Sequence, residues 1–412
     1  MKILLVNTYH FPGGGDSTYT FNLADLLRSN GQEVAFFAMQ DSRNIPDPNS
    51  DLFVRHIDFR EFNAHKNISN GFKVLGRAIY SREAQKKFGK LLDRFQPNIV
   101  HLQNIHAHIT PSVVFEARKR RIPVVWTLHD YKLICPNSHF LIDRTGEICE
   151  ACGKGAYYQP VLKRCKKSSL FASGMAGLEA YAHRMMRVRE KVDAFLAPSV
   201  FMRDKLISRG LPADRIHHLP LFLPDAMLRN DSEDQIGGDY ILYLGKLELI
   251  KGIRTLLSAC RSIPRIRLIL AGRPDESFKD ELTRLIPPNV QYVGMKYGKE
   301  LVELIQGALA IVLPSLWYEN QPFSILEAFA FGKPVIASNL GGMAELVNEN
   351  ERGLLVPPGD ANALCEAIRW LAEHSSETRK MGQAAQKYVA IYHSSKQHYQ
   401  KLMDLYCTVI NA

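Results

Sequence analysis

The chain is predicted to be an α/β protein of two doubly wound domains, and three observations carry that expectation. Its 412 residues exceed one ordinary core, because domains run to about 100–200 residues. Short apolar runs alternate with longer helix-periodic segments almost throughout, the pattern of parallel strands buried between layers of helices. The alternation also begins afresh at Tyr240, so each half reads as a complete sheet.

In the first half, residues 1–232, the expected strands are Lys2 to Asn7, Glu33 to Met39, Ile99 to Leu102, Pro123 to Leu128 and Ala194 to Ala197. A helix is expected over Ser17 to Ser29, and a Cys-rich insertion interrupts the pattern near 135–167. Pro212, Pro220, Pro224 and the polar run Asn230 to Gly238 then break the periodicity as a domain linker does. In the second half, residues 238–392, the expected strands are Tyr240 to Gly245, Ile266 to Ala271, Val290 to Val293, Ala310 to Leu313, Pro334 to Ala337 and Gly353 to Val356. Residues 393–412 read as an amphipathic helix expected to pack back on the first domain. Two open parallel sheets bind ligands outside the carboxyl ends of their strands, which places the site in the cleft between them.

An apolar fraction of 46% with 23% charged residues belongs to a globular chain. The run Ile3–Val6 is too short for a signal-peptide core, and no stretch approaches the roughly 18 apolar residues of a spanning helix. A cytoplasmic location is expected. The net charge is +10, and the excess is N-terminal: 33 basic against 24 acidic residues up to position 235. It concentrates in Arg118–Arg121, in Lys163, Arg164, Lys166 and Lys167, and in Arg184, Arg187, Arg189 and Lys191. Such clusters suit an anionic membrane surface, reached peripherally from the inner face, or a phosphorylated acceptor; each alone is also an ordinary solvated face. No zinc-finger histidine pair, aromatic RNA-binding signature or basic heptad region points to nucleic acid.

The segment Trp317-Tyr318-Glu319-Asn320-Gln321-Pro322-Phe323-Ser324-Ile325-Leu326-Glu327 follows a strand and enters a helix whose start Pro322 marks. Free N–H groups and the positive dipole end at that start make a phosphate seat. Glu319 in the loop and Glu327 on the helix flank it, and carboxylates accept hydrogen bonds from hydroxyls. A ligand with both a diphosphate and sugar rings uses all three features, so a sugar nucleotide is expected. After this half's first strand, Gly245-Lys246 and Lys251 place two cations where one diphosphate can meet both. Taken singly, these carboxylates and lysines are also common cap and surface residues.

These residues resemble the large retaining glycosyltransferase family 4, also known as glycosyl transferases group 1, which is marked by two glutamates with seven residues between them. Glu319 and Glu327 fit, and the likeness continues through Glu327-Ala328-Phe329-Ala330-Phe331-Gly332-Lys333-Pro334, Gly341-Gly342, Glu345 and Gly353-Leu354-Leu355-Val356-Pro357. Lys246 departs from it, since the family more often has arginine there. The resemblance implies a GT-B fold of two Rossmann-like domains facing a central cleft. It implies a retaining, metal-independent transferase of hexosyl type acting on a nucleoside-diphosphate sugar and a glycan or lipid-linked glycan acceptor in surface polysaccharide synthesis. It assigns Lys246, Lys251 and Glu319, with His129 of the first half, to catalysis, and Gly245, Asn320, Gln321, Pro322, Phe323, Ser324 and Glu327 to the donor.

In the first half, Phe11-Pro12-Gly13-Gly14-Gly15-Asp16 follows a strand and precedes a helix, so a backbone bare of side chains can approach a ligand. Gly13, Gly15 and Thr18 only half satisfy a dinucleotide fingerprint, the third glycine being absent. The resemblance places Gly14 and Gly15 against the donor. Thr127-Leu128-His129-Asp130 ends another strand at the cleft mouth, and the resemblance gives His129 contact with the donor sugar's hydroxyls, with Asp130 orienting His129 or the acceptor. Cys135, Cys149, Cys152 and Cys165 contain one C-x-x-C pair; they supply four ligands for a structural zinc or stand as free thiols on a loop facing the acceptor.

No G-x-S-x-G elbow, H-E-x-x-H motif, Walker loop or strict D-x-D occurs. Catalysis therefore needs no cofactor in this reading, the leaving diphosphate being met by Lys246, Lys251 and helix N-termini. A sugar-nucleotide epimerase, a phosphorylase, a dehydrogenase resting on Gly13 to Thr18, and a non-catalytic nucleotide-sugar-binding partner of another transferase remain as rivals.

Overall fold

The computed structural model of the protein describes residues 1–56, 76–77, 79–228 and 238–412. The greater part of the polar run expected to join the halves, residues 230–237, lies outside the described residues. Two six-stranded sheets form the molecule, each parallel at every pairing.

The first sheet uses β1 (Lys2–Val6), β2 (Glu33–Phe37), β3 (Ile99–Leu102), β4 (Val124–Thr127), β7 (Ala194–Ala197) and β8 (Ile216–His218), in the order β2-β1-β3-β4-β7-β8. β3, β4 and β7 are buried at every residue, as strands covered on both faces must be. The sixth strand, β8, falls inside the stretch expected as linker. Bounded by Pro212 and Pro220, it is an edge strand of three residues, too short for a period-2 signal. A small antiparallel hairpin of β5 (Leu141–Ile142) and β6 (Glu147–Ile148) lies within the Cys-rich insertion.

The second sheet joins β9 (Tyr240–Leu244), β10 (Arg267–Ala271), β11 (Val290–Gly294), β12 (Ala308–Leu313), β13 (Val335–Ser338) and β14 (Gly353–Val356) in the order β11-β10-β9-β12-β13-β14. The two orders share one logic. The chain first winds to one side of its opening strand and then crosses to the other, so the direction reverses between β1 and β3 and between β9 and β12. At such switch points the loops diverge and leave a crevice.

Six helices matter for the site: α1 (Gly15–Ser29), α2 (Leu170–Met185), α3 (Val200–Ser208), α4 (Phe323–Ala330), α5 (Ser375–Tyr392) and α6 (Ser395–Asn411). α5 packs on α4 in the second domain. The chain then crosses at His393, whose Nδ1 lies 2.7 Å from the Leu221 carbonyl oxygen. α6 lies on the first domain: His398 Nε2 meets the Tyr19 hydroxyl at 3.0 Å, and Tyr406 OH meets His101 Nδ1 at 2.6 Å. With its Nε2 at 2.7 Å from Thr127 Oγ1, His101 is saturated inside the core, and burial pushes its pKa down to about 3. No helix among the described residues is long and apolar enough to cross a membrane.

Candidate functional site

The loop leaving β12 builds the second-domain side of the cleft. Glu319 Oε1 accepts hydrogen bonds from Lys251 Nζ at 2.5 Å, Ser315 Oγ at 2.8 Å and the Trp317 indole at 2.9 Å. The Lys251 ammonium also lies 5.1 Å from the Trp317 ring centroid. Lys251 reaches this position because Gly252 has φ 74°, and a Cβ there would stand 1.9 Å from the Pro314 carbonyl oxygen. The loops after β9 and β12, the two sides of the switch point, are thus clamped by one ion pair.

Lys246, on the turn after Gly245, is held elsewhere. Its ammonium is 2.6 Å from Glu248 and 3.1 Å from Asp275, and half of the side chain is exposed. The Ser277 hydroxyl and Lys246 draw the Asp275 carboxyl down to about 2 against its partial burial. The two lysines expected to converge are therefore engaged with different carboxylates.

Pro322 is the N-cap of α4, one residue ahead of the first helical residue Phe323, and no side chain caps the helix start. Ser324 lies in that first turn. The N-terminal N–H groups are thus left to a ligand or to water. Glu327, on the next turn, is half-buried, and burial pushes its carboxyl up to about 7. It titrates at neutral pH.

Asn320 and Gln321 reach the other domain. The Asn320 amide accepts from Ser199 Oγ at 2.9 Å and donates to the Leu128 carbonyl at 2.8 Å, while Gln321 Oε1 accepts from the Leu221 N–H at 2.5 Å. Their side chains hold the domains together at the cleft floor. Glu345 extends the seam by accepting from the backbone N–H groups of Val200 and Phe201, both at 3.0 Å, at the start of α3. Gly342 permits the approach, since a Cβ there would lie 1.6 Å from the Asn320 carbonyl oxygen. Nothing in the local sequence signals these long-range partners.

On the first-domain side, Gly14 is the extended N-cap of α1, and a Cβ on Gly15 would lie 3.4 Å from the Phe323 ring. The glycine loop therefore abuts the start of α4. His129 Nε2 meets Gln103 Oε1 at 2.7 Å, so Nε2 donates and Nδ1 is left as the ring's acceptor. Burial pushes its pKa down, against the pull of Asp16 and Asp130, so the ring is neutral at pH 7. Asp130 pairs with His106 Nε2, 3.3 Å away, and accepts from the Lys132 N–H at 2.8 Å. Burial opposes its ionisation, but these groups and His139 outweigh it and hold its carboxyl well below the usual range. Gln103 and His106 carry no role assigned from the sequence; both follow β3, on the other side of the first switch point.

The insertion reaches across as well. His139 meets Trp317 edge-on with centroids 4.9 Å apart, and Glu150 accepts from the Tyr318 hydroxyl at 3.0 Å while pairing with Lys205 and Arg209. All four insertion cysteines are free thiols, and burial pushes Cys152 and Cys165 up to about 12, with the neighbouring thiols adding to it. Among the described residues, no three His, Cys, Asp or Glu side chains are arranged to hold a metal ion.

Two family profiles tile the chain: Glycosyltransferase Family 4 over residues 13–224 and Glycosyl transferases group 1 over residues 228–388. The chain belongs to glycosyltransferase family 4. The D-rhamnosyltransferase WbpZ of Pseudomonas aeruginosa is 29% identical to this transferase over 224 residues, spanning 51% of this chain and 58% of the relative's length. A glycogen synthase of Mycobacterium tuberculosis is 25% identical over 94% of this chain and 90% of its own. Two solved structures superpose on nearly the whole transferase with a TM-score of 0.70. Anabaena HepE in complex with UDP does so at 17% identity, with 99% of this chain and 100% of that one covered. Sucrose-phosphate synthase from Thermosynechococcus elongatus does so at 20% identity, with 100% and 99% covered. They establish the GT-B fold.

Proposed function

We propose that this glycosyltransferase moves a sugar, with retention of anomeric configuration, from a nucleoside-diphosphate sugar to a glycan or lipid-linked glycan acceptor in surface polysaccharide synthesis. The observation that carries the reading is the Lys251–Glu319 clamp beside the uncapped start of α4. A diphosphate seated on that start draws Lys251, and with it Lys246, away from their carboxylates. Glu319 is then released toward the sugar's hydroxyls, while Glu327 accepts from the ribose. His129 offers Nδ1 to a sugar hydroxyl, and Asn320 and Gln321 act by fixing the domain approach.

In the reaction the anomeric C–O bond to the diphosphate breaks. The acceptor oxygen bonds to the same face, and the leaving phosphate takes the acceptor's proton. Charge on that phosphate is met by lysines and helix N–H groups, so the reading expects no divalent cation. Likeness to the O-antigen chain mannosyltransferase C of Escherichia coli and to HepE, solved in complex with UDP, supports the acceptor and donor classes.

The test is thermal stabilisation by UDP, GDP, ADP and NAD at equal concentration, with and without EDTA. Occupancy at about 100 times Kd adds roughly 2.7 kcal/mol. Stabilisation by one nucleoside diphosphate that survives EDTA is expected. A rise with NAD alone would sink the transferase reading, and stabilisation abolished by EDTA would sink the metal-free clamp.

A further inference from the structure

One surface of the first domain is neither buried nor polar. Among the described residues, eight of the 18 exposed large hydrophobic side chains fall between residues 158 and 185. On α2 they are Leu170, Phe171, Leu178, Tyr181 and Met185. At 100° per residue these five, with Gly174, occupy a single arc about 100° wide. Phe171 is 60% and Met185 83% exposed. The preceding short helix Gln159–Lys163, which packs on α2, adds Leu162 at 70%. The opposite side of α2 faces the acceptor loop, since Glu179 pairs with Lys132 at 2.8 Å, two residues from Asp130.

The flanks of that stripe are cationic. Arg118 and Arg120 elsewhere on this domain are neutralised by Asp193, Asp93 and Glu116. By contrast Lys163, Arg164, Lys167 and Arg184 have no ion pair among the described residues. Beside Met185 opens a cavity of about 760 Å³ whose walls carry Lys154, Arg184, Arg187, Arg189, Arg209 and Arg215 against the acids Glu190 and Asp214. Arg187 pairs with Glu190 and Arg209 with Glu150, whereas Arg184, Arg189 and Arg215 donate to carbonyl or hydroxyl oxygens, so their charge stays uncompensated.

We infer that this face is a membrane-docking surface, in which the apolar stripe of α2 and residues 158–162 enter the interfacial region of an anionic bilayer while the arginine-lined cavity seats a lipid headgroup phosphate. An apolar stripe flanked by cations is the pattern of an interfacial helix. A second copy of this chain is the poorer occupant, because a two-fold contact would bring this cationic rim against itself. The inference rests on the lipid-linked acceptor reading, for which α2 would hold the acceptor loop at the bilayer surface.

The test is cosedimentation of the full chain with phosphatidylglycerol–phosphatidylcholine vesicles and with pure phosphatidylcholine vesicles. The wild type is expected on the anionic vesicles, less so as salt rises. Phe171→Asp/Leu178→Asp/Met185→Asp should weaken that binding by at least tenfold with the thermal midpoint of the free protein unchanged. Arg184→Glu/Arg187→Glu should weaken it and flatten the salt dependence. Absence of the wild type from anionic vesicles at low salt, or undiminished binding by the triple variant, would overturn the inference. So would a wild-type dimer that the triple variant dissociates. Failure of the transferase reading shows separately, as vesicle binding without stabilisation by any nucleoside diphosphate.

Discussion

The two walls of the cleft are built on different principles. On the proposed donor side, the Glu319 carboxylate is held by Ser315 and Trp317, four and two residues away, and by the distant Lys251. On the first-domain side, proposed to face the acceptor, the side-chain pairs are distant: Gln103 with His129, His106 with Asp130, Lys132 with Glu179. A site assembled from one loop is carried by local sequence. A site assembled from the ends of three strands exists only once the sheet order β1-β3-β4 brings them side by side. The donor wall should therefore carry the reaction's charge, and the acceptor wall should govern binding of the second substrate.

The most severe way to break that division is to remove the clamp. Glu319→Ala or Lys251→Ala should each lower kcat by roughly 10²-fold or more, as for other preorganised groups acting on developing charge. The fold should persist, because both side chains lie at the cleft rather than in the apolar core. Initial-rate kinetics with a circular-dichroism control reads both outcomes, and near-wild-type turnover in either variant would remove the donor wall from the chemistry.

A smaller effect sharpens the contrast. Asp130→Asn takes a charge from the acceptor wall without changing its shape, and a hydrogen bond to a charged group contributes about 1.5–3 kcal/mol. The acceptor KM should rise roughly 30-fold, equivalent to about 2 kcal/mol, with the donor KM unchanged. A rise in the donor KM instead would mean that Asp130 serves the sugar nucleotide, and the two walls would not divide the substrates.

The same contrast explains what could be read beforehand. All eleven large-sheet strands expected from apolar runs match their observed spans to within two residues at each end, because parallel strands buried on both faces are near-continuous apolar sequence. β8 escaped, since Ile216-His217-His218 is short and two-thirds histidine. Glu319, Lys251 and His129 sit at strand ends, where polarity after an apolar run is visible. The roles of Asn320, Gln321 and Glu345 were not visible, because a side chain that bonds the other domain looks like any other polar residue in a loop. Conversely, the even run Arg118–Arg121 gave no hint that Arg118 and Arg120 would be spent on carboxylates while Arg184 and Arg189 would not.

The smallest expected effect is a titration, and it tests whether the donor wall also uses a buried acid. Burial raises the Glu327 carboxyl to about 7 from an ordinary value near 4.5. A raised folded-state pKa favours the protonated form, so this group's contribution to stability is present below pH 4.5 and is lost as pH rises through 7. Glu327→Gln should accordingly be more stable than the wild type above pH 7, by about 1–3 kcal/mol, with the difference fading toward pH 4.5. Hydroxyls donated by a bound ribose favour the carboxylate, so a nucleoside diphosphate should bind up to about tenfold more tightly at pH 8 than at pH 6, releasing a proton as it does. Calorimetry in buffers of different ionisation enthalpy measures that proton directly. Flat affinity in the wild type would detach Glu327 from the donor, whereas flat affinity only in Glu327→Gln would place the acid at the ribose.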